Sequence, residues 1–341
     1  MMRYKSTHEQ RLDRWFSEGA AERYRQAMRY WYGPPIPLIG APGELWVHKG
    51  GDITGVIAGG GFASFDDMVA EATAGKLRTF NFQKVGATGV VGVTSSLWGL
   101  GNQPAAGANA ANAPNGEAPT DATTGAFLFD NVSTDTRHIT SASVSASVAG
   151  NTLLLYDRIF QVNKTMNSTA TEAVTGVPTR YQSTTPSAAN YAGGNFLFVE
   201  VGGTALAATA HNWTVCTYTD QGGAASTLPS LTGNASAIVR RLDHPAQQWF
   251  APLESGDIGI QTLTQMQCSA LVATGVINFV IGHPLAWMPM PIVNLNTLQD
   301  YVRVTFALER IFDDAALAFL EVNKPATGAT TYNGTFTAIH G

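Results

Sequence analysis

Two pairs of adjacent carboxylates, Asp66-Asp67 and Asp313-Asp314, are the first residues to weigh for chemistry, because glycosidic hydrolysis needs two carboxyl groups facing one bond. Neighbours in sequence do not face each other on a helix, so neither pair is a ready dyad. Asp66 and Asp67 follow Ser64 and fit a helix start, where a hydroxyl caps free N–H groups and the dipole favours anions. His138, His211, His244 and His283 have no His, Asp or Glu partners at ligand spacing, so any metal site would have to be assembled wholly by the fold. No Gly-x-Ser-x-Gly nucleophile turn occurs, and Cys216 and Cys268, far apart in strand-like runs, read as buried free thiols. Ala58-Gly59-Gly60-Gly61 lacks the Gly-Lys-Ser/Thr of a phosphate loop and reads as a flexible turn. Trp213, Trp249 and Trp287 could stack on sugars, although each context suits core packing equally well. The expectation is a protein that is not an enzyme, with no catalytic, cofactor-binding or metal-binding residue.

The elements that would position such residues are mostly strands. The best helix is Thr7 to Tyr32, where Leu12, Trp15, Phe16, Ala20, Tyr24, Ala27 and Trp31 recur at intervals of three and four before Gly33-Pro34-Pro35 ends the run. A short helix is expected over Ser64 to Ala74, with Gly75 after its end. Thr79 to Leu100 reads as strand material, and Gly101 to Gly125 as a long Gly/Ala/Asn/Pro loop unable to form a core layer by itself. Strand composition then recurs at Ala126 to Phe129, His138 to Val148, Leu153 to Val162, Phe196 to Val201, Trp213 to Tyr218, Ala237 to Leu242, Gly259 to Ala270, Gly275 to Ile281 and Val302 to Leu308. Asp313 to Leu320 fits a short helix, and Leu317 to Val322 fits a strand. The pattern is mainly β, an antiparallel sandwich or jelly-roll-like body with an N-terminal helical extension. The organisation expected is an arm over residues 1–78, a strand and loop over 79–125, and a β-rich body over 126–341.

Composition narrows the function classes. Asp, Glu, Lys and Arg make up only 13% of the 341 residues, about half the usual share. Surfaces poor in long charged side chains suit subunit contacts, because burying such chains costs rotamer entropy and desolvation. The net charge of −5 argues against a stand-alone nucleic-acid binder. The first turns of the chain lack the charged-then-apolar pattern of a signal peptide, and no stretch matches a membrane span, so a soluble protein made in the cytoplasm is expected. Asn-x-Ser/Thr patterns such as Asn167-Ser168-Thr169 and Asn333-Gly334-Thr335 then follow from an Asn/Ser/Thr-rich surface.

The runs Leu153 to Phe160, Lys164 to Ala170 and Thr175 to Tyr181 resemble structural proteins encoded in tailed-bacteriophage genomes, and the likeness continues through His211 to Thr214, Ile281 to Leu285 and Arg310 to Asp314. It covers roughly the last two-thirds of the chain and carries no catalytic motif. The resemblance implies a virion part placed in or on the head, a shell or shell-reinforcing capsid subunit whose partners are copies of itself and other virion proteins. It implies neither membrane attachment nor specific nucleic-acid binding. Trp15, Tyr24 and Trp31 in the helix, and Lys164, Met166, Arg180 and Tyr181 around the polar loop, are the expected subunit contacts. A tail or host-receptor protein binding glycans is the first alternative, and a polysaccharide-degrading virion enzyme the second.

Overall fold

The structure, a computed structural model, describes residues 62, 64–132, 135–302 and 309–341. The helix expected over Thr7 to Tyr32, with Trp15, Tyr24 and Trp31, and the turn expected at Ala58 to Gly61 lie outside the described residues, as does most of Val302 to Leu308. The described residues are mainly β, and every strand ladder among them is antiparallel.

The first described element is a helix, α1 (Phe65–Glu71), whose start is set as the sequence suggests: the Ser64 hydroxyl accepts from the Asp67 backbone N–H at 3.0 Å. Gly75, at φ 88°, then turns the chain into the first strand.

Three sheets follow. One contains β13 (Thr297–Asp300), β4 (Arg137–Ala146), β16 (Thr331–His340), β1 (Leu77–Val85) and β3 (Asn102–Gln103) in that order, with β14 (Arg310–Ile311) also on β4. The central sheet runs β2 (Ser95–Ser96), β15 (Leu317–Val322), β5 (Asn151–Thr165), β12 (Val276–Met290), β7 (Phe196–Val201). The third runs β10 (Leu231–Thr232), β8 (Asn212–Asp220), β11 (Ile260–Cys268), β6 (Glu172–Ala173), with β9 (Ala225–Thr227) on β8.

The two 15-residue strands β5 and β12 are the spine, because each serves three cores. Leu153, Leu155, Leu285 and Met288 pack with Phe82, Val144 and Phe336 of the first sheet. Further along the same strands, Ile159, Val162, Ile277 and Phe279 pack with Trp213, Cys216, Leu263 and Met266 of the third sheet. Alternation sends Leu154, Tyr156 and Val280 to the opposite face, against Trp98 and Leu242. Burial of each large side chain contributes about 1.5–3 kcal/mol, so these doubly covered strands dominate the stability.

The loop Gly101 to Gly125 is shaped by its own body. The strand β15 covers β5 only as far as Asp157. Beyond it the loop takes over that edge: Ala113 N–H donates to Asn163 O at 3.0 Å, and Glu117 and Gln161 exchange backbone bonds of 2.8 and 2.9 Å. Its glycines permit the close approach, since a Cβ at Gly107 would lie 2.2 Å from the Trp98 ring and one at Gly116 2.6 Å from Phe160. Buried Lys84 pins the loop's start by donating to Leu100 O at 2.8 Å and Pro104 O at 2.6 Å, and burial pushes its pKa down to about 8.

Three sequence expectations are corrected. Ala126 to Phe129 is not a strand: it is an extended segment without a ladder, inserting Phe127 and Phe129 beside Phe80 and Phe336 while Leu128 faces outward. Ala237 to Leu242 is irregular, because positive φ values at Ser236 (60°) and Arg240 (75°) interrupt the extended backbone, leaving two isolated bridges, Ser95 to Arg241 and Glu200 to Leu242. The helix considered from Asp313 is absent; Leu317–Val322 is β15, six consecutive buried residues between β2 and β5, as expected of a strand covered on both faces.

Candidate functional site

The residues that join Asn151–Thr165 to the polar segment after it form a network of buried charges. Arg158 donates to Glu200 at 2.6 Å with both side chains fully buried, and its Nε donates to Gln161 Oε1 at 2.6 Å. Asn278 donates to Glu200 at 3.0 Å, and the guanidinium lies 5.0 Å over the Trp98 ring. Burial alone would push the Glu200 carboxyl up; the Arg158 charge and hydrogen bonds overcome this and hold it below its ordinary value. On the next residue, Asp157 receives Arg180 through two bonds of 2.7 and 2.8 Å and also accepts the Ala316 N–H at 2.9 Å. Arg180 Nη2 also donates to Pro119 O at 2.9 Å, while its Nη1 makes no hydrogen bond and lies 3.4 Å from Asp314, so the pair is held chiefly by its bidentate contact with Asp157.

Four residues expected as subunit contacts are therefore interior residues of the chain itself. Lys164 is buried and paired with Glu172. Met166 lies in the core, its side chain beside Gly275. Arg180 is held by Asp157, and Tyr181 stacks on His283 at 3.8 Å while its hydroxyl donates to Arg310 O at 2.7 Å. The segment between them is also tied down, with Val174 N–H donating to Thr264 O at 2.8 Å and Thr175 N–H to Pro114 O at 2.8 Å. Its outward residues are Asn167, Thr169, Ala170, Thr171, Ala173, Thr175, Val177 and Thr179.

The carboxylate pairs do not form dyads. Asp313 lies 3.7 Å from Arg137, and Asp314 lies 3.4 Å from Arg180. Three of the four weighed histidines are structural. His211 contacts Asp243 Oδ2 at 2.9 Å through Nε2 and Thr209 O at 3.0 Å through Nδ1, and Trp213 donates to the same carboxylate at 2.8 Å. His244 Nε2 accepts the Val199 N–H at 2.8 Å, and burial pushes its pKa down to about 4. His283 Nδ1 lies 2.8 Å from Asn195 Oδ1. Among the described residues no three His, Cys, Asp or Glu side chains converge as a metal site. The Asp243 cluster lacks a nucleophile within the bonds it makes, and its chemistry is that of a buried charge pair. Cys216 and Cys268 are free and buried in facing strands β8 and β11, and burial pushes the Cys216 thiol up to about 12.

The feature that sequence reading missed is a surface. From Ile258 to Gln299 the chain contains no Asp, Glu, Lys or Arg. Much of this stretch is core strand, but it emerges at Pro291 and stays exposed through Asn296, with Ile292, Val293 and Leu295 each about half exposed and Leu298 71% exposed on β13. The strand β13 is the outermost of its sheet, paired with β4 alone among the described residues. Beyond Gly282, β12 likewise has β5 on one side and, among the described residues, no strand on the other, which accommodates Pro284 and Pro289 within a long strand. An outer strand that exposes Leu298 and is preceded by the exposed Ile292, Val293 and Leu295, with its first charge only at Asp300, is suited to protein contact.

A scan against protein-family models and searches of the curated proteins and of the solved structures return no match. Function therefore rests on the surface and the site geometry. Among the described residues no helix is long and apolar enough to cross a membrane.

Proposed function

We propose that this chain is a structural subunit of a tailed-bacteriophage virion, a shell or shell-reinforcing capsid protein that acts through subunit contacts and carries out no catalysis. The observation that carries the reading is the uncharged apolar edge from Pro291 to Leu298, because exposed apolar residues leading into and on an outer strand are costly in a lone subunit and favourable in an assembly. The low charged content supports it, as does the resemblance of the runs around Leu153 to Tyr181 to phage structural proteins. On this reading the body is jelly-roll-like, the chain is made in the host cytoplasm and incorporated into the capsid, and its partners are further copies and other virion proteins. Specific nucleic-acid binding and membrane attachment have no part in it. Contacts from the polar loop would be made by its outward residues, such as Thr171 and Val177, while Lys164, Met166, Arg180 and Tyr181 hold the loop in shape from inside.

The test is self-association of the purified full chain by sedimentation and light scattering, beside a Leu295→Asp/Leu298→Asp variant. The wild type is expected to associate with rising concentration, and the variant to stay a folded monomer, because a charge buried in an apolar contact is left unpaired. A wild type that stays monomeric, or a variant that associates equally, would count against this edge as the contact.

A further inference from the structure

A second surface feature lies apart from the β13 edge. A groove of about 400 Å³ is lined by Phe196, Trp249, Phe250, Leu253, Asp257 and Ile258, together with Gly194 and Asn195. Its aromatic wall is built by contact: Trp249 meets Phe196 at 4.9 Å, Phe250 at 4.7 Å and Trp287 at 5.4 Å, all edge to face. Phe250 and Trp287 are 38% and 42% exposed, and Trp249 is half-buried among them. Edge-to-face contacts fix ring orientation, so this wall is preorganised.

One polar group faces the same space. Asp257 receives the Tyr218 hydroxyl on Oδ2, and Tyr218 also accepts the Glu254 N–H at 2.9 Å, which holds the carboxylate in place. Among the described residues no other group hydrogen-bonds to the Asp257 side chain. The groove thus offers aromatic surface and one fixed acceptor, the composition of a small-ligand site. No Lys or Arg lines it, which disfavours phosphate or acidic sugars.

We propose that this groove binds a neutral hexopyranose at the end of a glycan. The C–H face of the ring lies on the Trp249 and Phe250 side chains, and a vicinal pair of hydroxyls donates to the Asp257 carboxylate. The proposal is independent of the capsid reading, since a surface-displayed subunit and a monomer could both carry the groove.

The experiment is a titration of the full chain with glucose, galactose, mannose and N-acetylglucosamine and their short oligomers, followed by tryptophan fluorescence and by saturation transfer to the sugar protons. A single ring is expected to bind with a Kd of about millimolar order, the range its few heavy atoms allow. Asp257→Asn and Phe250→Ala, both at partly exposed positions, are each expected to weaken binding by about tenfold or more with unchanged circular dichroism and Tm. Trp249→Phe is expected to weaken binding in the same direction. Absence of saturable binding to every sugar in the set would overturn the proposal. So would unchanged affinity in both Asp257→Asn and Phe250→Ala, or tighter binding of sialic acid than of any neutral sugar.

Discussion

Two histidines on either side of one carboxylate should give this protein a stability maximum near pH 6.5. His244 is buried with its Nε2 accepting the Val199 N–H, so protonation would place a donor against a donor. Burial pushes its pKa down to about 4, with the neighbouring Asp243 charge opposing but not cancelling the effect. In the unfolded chain the ring titrates at about 6.5. A depressed folded pKa means stability that is complete above about pH 6.5 and is lost as pH falls towards about 4; at about 1.4 kcal/mol per pH unit the loss reaches about 3 kcal/mol. His211 behaves oppositely. Burial works against its charge, but Asp243 and Thr209 O face its two nitrogens and raise its pKa, so its contribution is complete below about pH 6.5 and lost as pH rises through the raised value. Urea unfolding followed by tryptophan fluorescence from pH 4.5 to pH 8 measures both limbs. His244→Gln, whose side-chain carbonyl can still accept from Val199, should flatten the acid limb and leave the alkaline limb in place. An acid limb as steep in His244→Gln as in the wild type would refute the reasoning.

Two further substitutions test the interior. Glu200→Leu strands the Arg158 charge in a fully buried site and should cost about 3–5 kcal/mol in unfolding free energy, whereas Arg158→Met/Glu200→Leu should recover most of that loss, the remainder reflecting the acceptor lost by Asn278. Equal destabilisation of the single and double variants in urea would contradict the pairing. Gly107→Ala places a methyl group 2.2 Å from the buried Trp98 ring, and thermal unfolding should show a loss of about 1–3 kcal/mol; an effect near zero would contradict the close packing of this loop.

The strands were legible where composition and environment agree. Phe196–Val201 is five apolar residues interrupted only by Glu200, which is what a strand with both faces buried requires. The full length of β12 was not, since Pro284 and Pro289 look like breakers and only the fold shows that this part of the strand has one open edge. Ala237 to Leu242 misled because β-type side chains say nothing of a positive φ at Arg240. The polar interior was hidden for a different reason. Arg158 meets Glu200 across 42 positions and Asp157 meets Arg180 across 23, so Lys164, Arg180 and Tyr181 read as surface residues until their partners are known. The charge-free stretch from Ile258 to Gln299 was readable, and it marks where apolar surface emerges on the outermost strand. The aromatic groove was half legible: Trp249 and Trp287 do come together, while Trp213 belongs to the core.

The central claim is that this chain works as a repeated structural part of a virion, and electron microscopy of purified phage particles with the copy number of the chain tests it most directly. Hundreds of copies on an icosahedral lattice, with the Pro291 to Leu298 edge buried against a neighbouring subunit, is the predicted result. Particles that lack the chain, or that carry only a handful of copies at one vertex, would contradict the shell or reinforcing role.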